Sequence, residues 1–428
     1  MLAATQLANA DPPKREVPDY DGRGNAGAHD EPVVVWIPRI ILSPLYVVNE
    51  FLLRRPVGWI IRHVEAGHWV DSVANLFQFG PHNDSLLVPT FLFDFGLLPN
   101  VGLYYAGDDF LAHDNSLKIH AATWGRPWID VTVADRYAID KAHSVQARLE
   151  YKRSQDNLFY GIGPEVEKGR QSRYGLSLLD GSASYRRLLA NESWLDVTTG
   201  IHRVAFVAGG CCGDPTIDEQ VASGVYAAPP GYREDYTAAF ARASLTLDSR
   251  EPRPAPGSGV YLYTHANARF DVHQPRSWLD YGGVLGGSVD LTGHQRTIKL
   301  QLEIDMIDAL QGGTIPFTDY PVLGSAFMTG FVSGWLTGLS SAAAQLGYAW
   351  PVWAWLDGVT RFSVGNAFGN HLAGLAPGNF RLSGDVGFTT TAARDQGFEV
   401  LFGVGTETID QGAHITAIRI SFGSRRGF

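Results

Sequence analysis

Residues 297–306, Thr-Ile-Lys-Leu-Gln-Leu-Glu-Ile-Asp-Met, divide into two faces: Ile298, Leu300, Leu302, Ile304 and Met306 on one, Lys299, Gln301, Glu303 and Asp305 on the other. Side chains alternate with period two along a strand, whereas a helix would mix the two sets. The same division recurs at 260–271, where Val260, Leu262, Ala266, Ala268 and Phe270 oppose Tyr261, Tyr263, His265, Asn267, Arg269 and Asp271. It recurs at 145–152, with Val145, Ala147, Leu149 and Tyr151 against Gln146, Arg148, Glu150 and Lys152. In a soluble sandwich the apolar face meets a second sheet; in a membrane barrel it meets lipid while the polar face lines a wet lumen. Alternation alone does not separate the two.

From residue 86 onward, sixteen such segments follow one another, near 88–96, 100–107, 116–124, 127–138, 143–153, 172–187, 192–206, 235–249, 258–272, 276–292, 296–309, 341–352, 355–367, 379–391, 397–409 and 413–423. An even count closes an up-and-down barrel, and strands of this length suit a tilted membrane crossing. The connections 249–258, 272–276, 309–341 and 352–355 read as long, short, long, short, the outer-membrane pattern of loops on one rim and turns on the other. Aromatic residues bunch at the expected strand ends (Trp124, Trp128, Trp194, Trp278, Tyr281, Trp350, Trp353, Trp355), where they can form interfacial girdles.

Composition sharpens the choice. Charged residues make up 18 % of the chain, below the roughly 25 % of a soluble domain. No apolar run is long enough to span a bilayer as a helix, which leaves a closed barrel as the spanning solution. A formal net charge of −10 with no basic stripe excludes nucleic acid as a partner. The expected fold is therefore all-β, a sixteen-stranded antiparallel transmembrane barrel over residues 86–428, with outer-membrane lipids as its surroundings.

Ahead of it, residues 1–32 read as a signal-peptide remnant, with Ala8-Asn9-Ala10 resembling a cleavage site, followed by a polar leader rich in Pro and Gly. Residues 33–85 are apolar but cut by Pro38, Pro44 and Pro56, so helices there are expected to be short. The amphipathic stretch 56–64 either packs on the periplasmic base or lies in the membrane interface. Cys211 and Cys212 are adjacent in a Gly-rich stretch. Two unpaired or loop-capping thiols are expected there, a vicinal disulfide being the alternative.

Candidate chemistry is sparse. His202, His265, His273 and Ser244 are the residues available for catalysis, and Glu303 and Asp305 lie two apart on one inward face. Lys299, Arg242 and Arg269 are the expected neutralising partners of those carboxylates across neighbouring strands. No Gly-x-Ser-x-Gly, His-Glu-x-x-His, phosphate-loop or paired-Cys metal motif occurs, so neither enzyme activity, cofactor nor metal is expected.

Four local patterns narrow the reading. Asn157-Leu158-Phe159-Tyr160-Gly161-Ile162-Gly163-Pro164 follows the fifth strand; Leu247-Asp248-Ser249-Arg250 and then Pro254, Pro256 and Gly257 follow the eighth. The connection 310–340 holds Leu323-Gly324 and Thr329-Gly330-Phe331, and the last strand runs from Ile415 toward Phe422. In this order they resemble the BamA/TamA-like outer-membrane barrels, the bacterial surface antigen family. The resemblance implies that the loop after the eleventh strand folds into the lumen, with Gly324, Phe327, Gly330, Phe331 and Trp335 packing it, and that Tyr160, Gly161, Asp248 and Arg250 fix turns. The family's loop tip reads Arg-Gly-Phe or Arg-Gly-Tyr; Thr329 stands here in place of the arginine, so packing rather than a charge-assisted contact is expected to hold the loop. Members that insert or export protein carry POTRA modules, whose alternating strands residues 11–85 lack. The chain is thus read as a member without them, acting in protein insertion, export or surface assembly with protein partners or clients. An anchoring barrel and a passive pore are the alternatives.

Overall fold

A computed structural model describes residues 59, 77–80, 84–190, 192–250, 257–291, 296–353, 356–390 and 396–426. A two-residue strand β1 (Gln78–Phe79) precedes the barrel strands β2 (Ser85–Asp94), β3 (Asn100–Asp108), β4 (Asn115–Thr123), β5 (Trp128–Ala138), β6 (His143–Phe159), β7 (Ser172–Ala190), β8 (Ser193–Val207) and β9 (Tyr236–Asp248). They continue as β10 (Gly259–Asp271), β11 (Ser277–Asp290), β12 (Thr297–Gln311), β13 (Ser340–Trp353), β14 (Leu356–Phe368), β15 (Arg381–Thr390), β16 (Gln396–Thr408) and β17 (Ile415–Arg426). Each pairs antiparallel with its neighbour in sequence, and β17 pairs with β2 to close the ring. The chain is thus a closed barrel of sixteen strands, β2–β17, plus β1, which pairs with β2.

The register sets the faces. Leu285, Leu302 and Ala344 share a row, as do Glu303, Val284 and Ala343 in the next. Leu300 and Leu302 are 52 % and 47 % exposed on the outer face, whereas Lys299, Gln301, Glu303 and Asp305 lie on the inner one. A one-residue slip would exchange the sets, so the oil-and-water split specifies the register.

Three expectations need correction. Strand β6 runs to Phe159 rather than ending near 153. Its alternation fades at Lys152-Arg153-Ser154-Gln155-Asp156 because the strand leaves the apolar band there, and a bulge between Ser154 and Asn157 shifts the pairing with β7. The long connections 160–171, 208–235, 312–339 and 369–380 all leave from one rim, but 249–258 belongs to the other, short-turn rim. The turn between β11 and β12 intervenes, so 249–258 and 312–339 do not share a rim. Finally, Cys211 and Cys212 form a vicinal disulfide, where Cys212 and Gly213 turn the chain at φ of 63° and 82°.

The α-helix on the long-loop rim is α1 (Ile217–Ala222), started by a reciprocal cap between Thr216 and Glu219. The short helices expected at 33–66 lie outside the described residues, apart from Trp59, and the described chain from Gln78 into the barrel is strand.

Candidate functional site

The connection 312–339 enters the barrel instead of extending from it. Phe317 is 3 % exposed and sits 5.2 Å from the rings of both Phe159 and Tyr174. Ile217 of α1, Val204, Tyr236, Trp278 and Ile307 complete this apolar cluster across the mouth of the long-loop rim. Beside it Asp319, 4 % exposed, lies 3.0 Å from Arg269 Nη1 and accepts a 3.0 Å hydrogen bond from the Tyr236 hydroxyl. His202 bonds to Asp180 at 2.7 Å and His265 to Asp280 at 2.8 Å around the same space. A cavity of about 300 Å³ separates these groups, with Asp305 on its wall.

Deeper in, Trp335 stacks on Tyr160 at 4.2 Å and meets Phe331 edge-on at 5.5 Å. Burial raises the pKa of the Tyr160 phenol, so this ring stays neutral. Gly161, at φ 125°, turns the chain after Tyr160, while Gly334 lies so close to Leu158 that a Cβ would stand 2.0 Å from its carbonyl oxygen. At the tip, the Thr329 hydroxyl donates to the Asp385 carboxylate, and the Gly330 N–H donates to Ser383 Oγ at 2.8 Å. Gln345 Nε2 and Ser363 Oγ both donate to the Phe327 carbonyl at 2.8 Å. Phe331 is fully buried over Gly405, where a Cβ would come within 2.5 Å of its ring. Gly324 approaches the Val332 carbonyl with a would-be Cβ contact of 2.3 Å.

The expectation that packing alone holds the loop is overturned. Asp319 supplies an ion pair from the loop itself, and at the tip the cation sits on the wall: Arg361 Nε reaches Asp385 Oδ1 at 2.9 Å. Thr329 completes that carboxylate's contacts with its hydroxyl. The Arg269–Asp319 pair joins a strand to a distant loop, which no local pattern announces, whereas Arg361 and Asp385 stand opposite each other in register on the consecutive strands β14 and β15.

Other sequence-derived residues are placed as follows. Arg269 pairs with Asp319 and lies 3.8 Å from Asp280, while Glu303 and Asp305 contact each other, with Asp305 4.0 Å from His265. Arg269, expected to neutralise Glu303 and Asp305, thus pairs with Asp319 instead. Gly282 makes room for Asp305, since a Cβ would stand 2.0 Å from Asp305 Oδ1. Arg242 is on the inner face and exposed, away from the loop. Asp248 accepts 2.8 Å from Arg250 Nε, and the guanidinium lies 4.7 Å from the centre of the Tyr261 ring, on the short-turn rim. Ser244 stands opposite His265 in register without bonding to it, and His273 lies in the turn after β10. Among the described residues no group of three His, Cys, Asp or Glu is placed to hold a metal.

The loop tip also touches the barrel's closure. Arg419 on β17 makes a bidentate pair with Asp94 on β2, at 2.9 and 2.8 Å, and donates to the Thr329 carbonyl at 3.1 Å. The seam it spans is short. Its paired residues are Asp94 with Ser421, Phe93 with Phe422 and Leu92 with Gly423. Asp108 N–H donates to the Asp84 carbonyl and Phe95 N–H to that of Ile420, so by alternation Ser85, Leu87, Pro89, Phe91 and Phe93 direct their backbone groups toward the seam. Strand β1 takes Ser85 and Leu86. Between them, Leu87 to Thr90 have no strand partner on that edge among the described residues, while the Phe91 carbonyl accepts from Ser424 Oγ of β17 at 3.5 Å. Pro89, which has no N–H to donate, suits such an edge.

The barrel as a whole is similar to solved structures. BamA from Haemophilus ducreyi lacking POTRA domains 1–3 superimposes over 80% of this chain and 70% of that one, with a TM-score of 0.57 and 11% identity. The fold is that of an outer-membrane β-barrel. CdiB from Acinetobacter baumannii matches over 80% of this chain but 60% of its own, with a TM-score of 0.50 and 9% identity, so this chain spans about three-fifths of that protein. No family model and no curated relative matches the sequence. At these identities the likeness is one of fold.

Proposed function

We propose that this chain is a plugged bacterial outer-membrane barrel that handles polypeptide at the seam between β2 and β17, in insertion, export or surface assembly. The observation that carries this reading is the seam itself: three residue pairs join β17 to β2, against eight between β2 and β3. An unpaired strand edge facing lipid costs several kcal/mol per group and accepts an incoming strand through its main chain. The filled lumen argues against a passive pore, since Phe331, Leu323, Met328 and Leu336 are fully buried within it. The likeness to BamA and CdiB supports the architecture of this reading, and the polypeptide client is the proposal.

The test is to lock the seam. A Phe93→Cys/Phe422→Cys variant, oxidised in cells, is expected to stay folded yet stop the assembly of its client proteins, with reduction restoring it. Unchanged assembly with the seam fully cross-linked contradicts the reading.

A further inference from the structure

On the outer face, the membrane band is bounded by charge. Along β7 the outward residues from Tyr185 through Ala183, Gly181 and Leu179 to Ser177 are uncharged, as are Val145 to Tyr151 on β6 and Leu195 to Ile201 on β8. That run has the length of one tilted crossing, about 10 residues. Arg187 lies beyond it toward the short-turn rim. Toward the long-loop rim it ends at Arg153 on β6 and Arg203 on β8, one strand apart.

Between the two arginines lies β7. Arg153 pairs in register with Ser177, and Arg203 with Leu179, whose other neighbour is Tyr151. Two strand spacings and two residues of offset place their Cα atoms about 12 Å apart. Ser177 and Ala205, both small, leave the space between them open. The flanking positions are Ile129 on β5 and Thr237 on β9, and the carboxylate that follows in register opposite Ala205, Asp235, accepts a 2.8 Å hydrogen bond from the Phe206 N–H and has no ion pair with either arginine. Arg203 is exposed, and Arg153 Nε is buried without an acceptor. Neither arginine has a hydrogen-bond or ion-pair partner among the described residues.

Unpaired guanidinium groups at the edge of a lipid band call for an anion from the lipid, and a phosphate matches their fork geometry. Long loops mark this rim as the outer one. We propose that Arg153 and Arg203, with Tyr151 and Ser177, bind the headgroup phosphate of a phosphorylated outer-leaflet glycolipid. This site stands on the membrane band alone and does not depend on what passes the seam.

The test uses the full chain in a neutral detergent, titrated with bisphosphorylated lipid A and followed by adducts in native mass spectrometry. An Arg153→Gln/Arg203→Gln variant should bind it more weakly by roughly tenfold or more, whereas Arg153→Lys/Arg203→Lys should retain most of the binding. Lipid A stripped of its phosphates should bind the native protein as weakly as bisphosphorylated lipid binds the Gln variant. Equal binding by the Gln variant with its barrel intact, equal binding of the dephosphorylated lipid, or full displacement by millimolar inorganic phosphate would each overturn the assignment.

Discussion

Leu302 and Gln301 are neighbours in sequence that meet different solvents, lipid and the lumen. Arginine at 302 is expected to cost roughly 2 to 4 kcal/mol near the mid-membrane, while Gln301→Arg should be much milder. Urea unfolding in lipid vesicles measures both, and equal costs would reverse the face assignment. Gly405 lies under Phe331, so Gly405→Ala should destabilise by about 1 to 3 kcal/mol through overpacking; an unchanged midpoint would mean that the ring is not seated there. These faces were legible in the sequence because alternation encodes them directly. The partners of Glu303 were not, since a carboxylate's nearest cation depends on which strand and which loop lie opposite, and Asp319 claims Arg269.

The loop 312–339 is the element that fills the lumen and reaches the seam, through the bond from Arg419 to the Thr329 carbonyl. Its length and its Leu, Phe and Trp content marked it as inward-folding, and the glycines at 324 and 330 fall at close approaches. Its anchoring was less legible: Thr329 in place of an arginine suggested the loss of a charge contact, whereas the cation stands on β14 as Arg361. Removing one partner of a buried pair leaves an uncompensated charge, so Arg269→Ala should cost about 3 to 5 kcal/mol and expose the loop to protease. Trp335→Ala, which removes the stack on Tyr160, should cost a similar amount, about 3 to 5 kcal/mol. Because the Arg269–Asp319 pair is only slightly solvent-exposed, raising ionic strength should change the loop's protection little; steep salt dependence would place the pair in bulk water.

At the scale of the molecule, the strand count and the up-and-down order could be read from sixteen alternating segments, since each crosses the membrane once. The closure could not, because Asp94 and Arg419 are 325 positions apart and no local pattern announces their pairing. Arg419 joins both sides of the seam and the tip of the loop, which couples the filled lumen to the edge of β2. The most direct measurement is site-specific photo-cross-linking in cells, with the probe at Leu87 or Phe91 on the seam edge and, for comparison, at Arg242 in the lumen. Adducts with outer-membrane polypeptides at the seam positions and none at Arg242 are the predicted result; adducts confined to Arg242, together with large steady conductance of the purified protein, would contradict it.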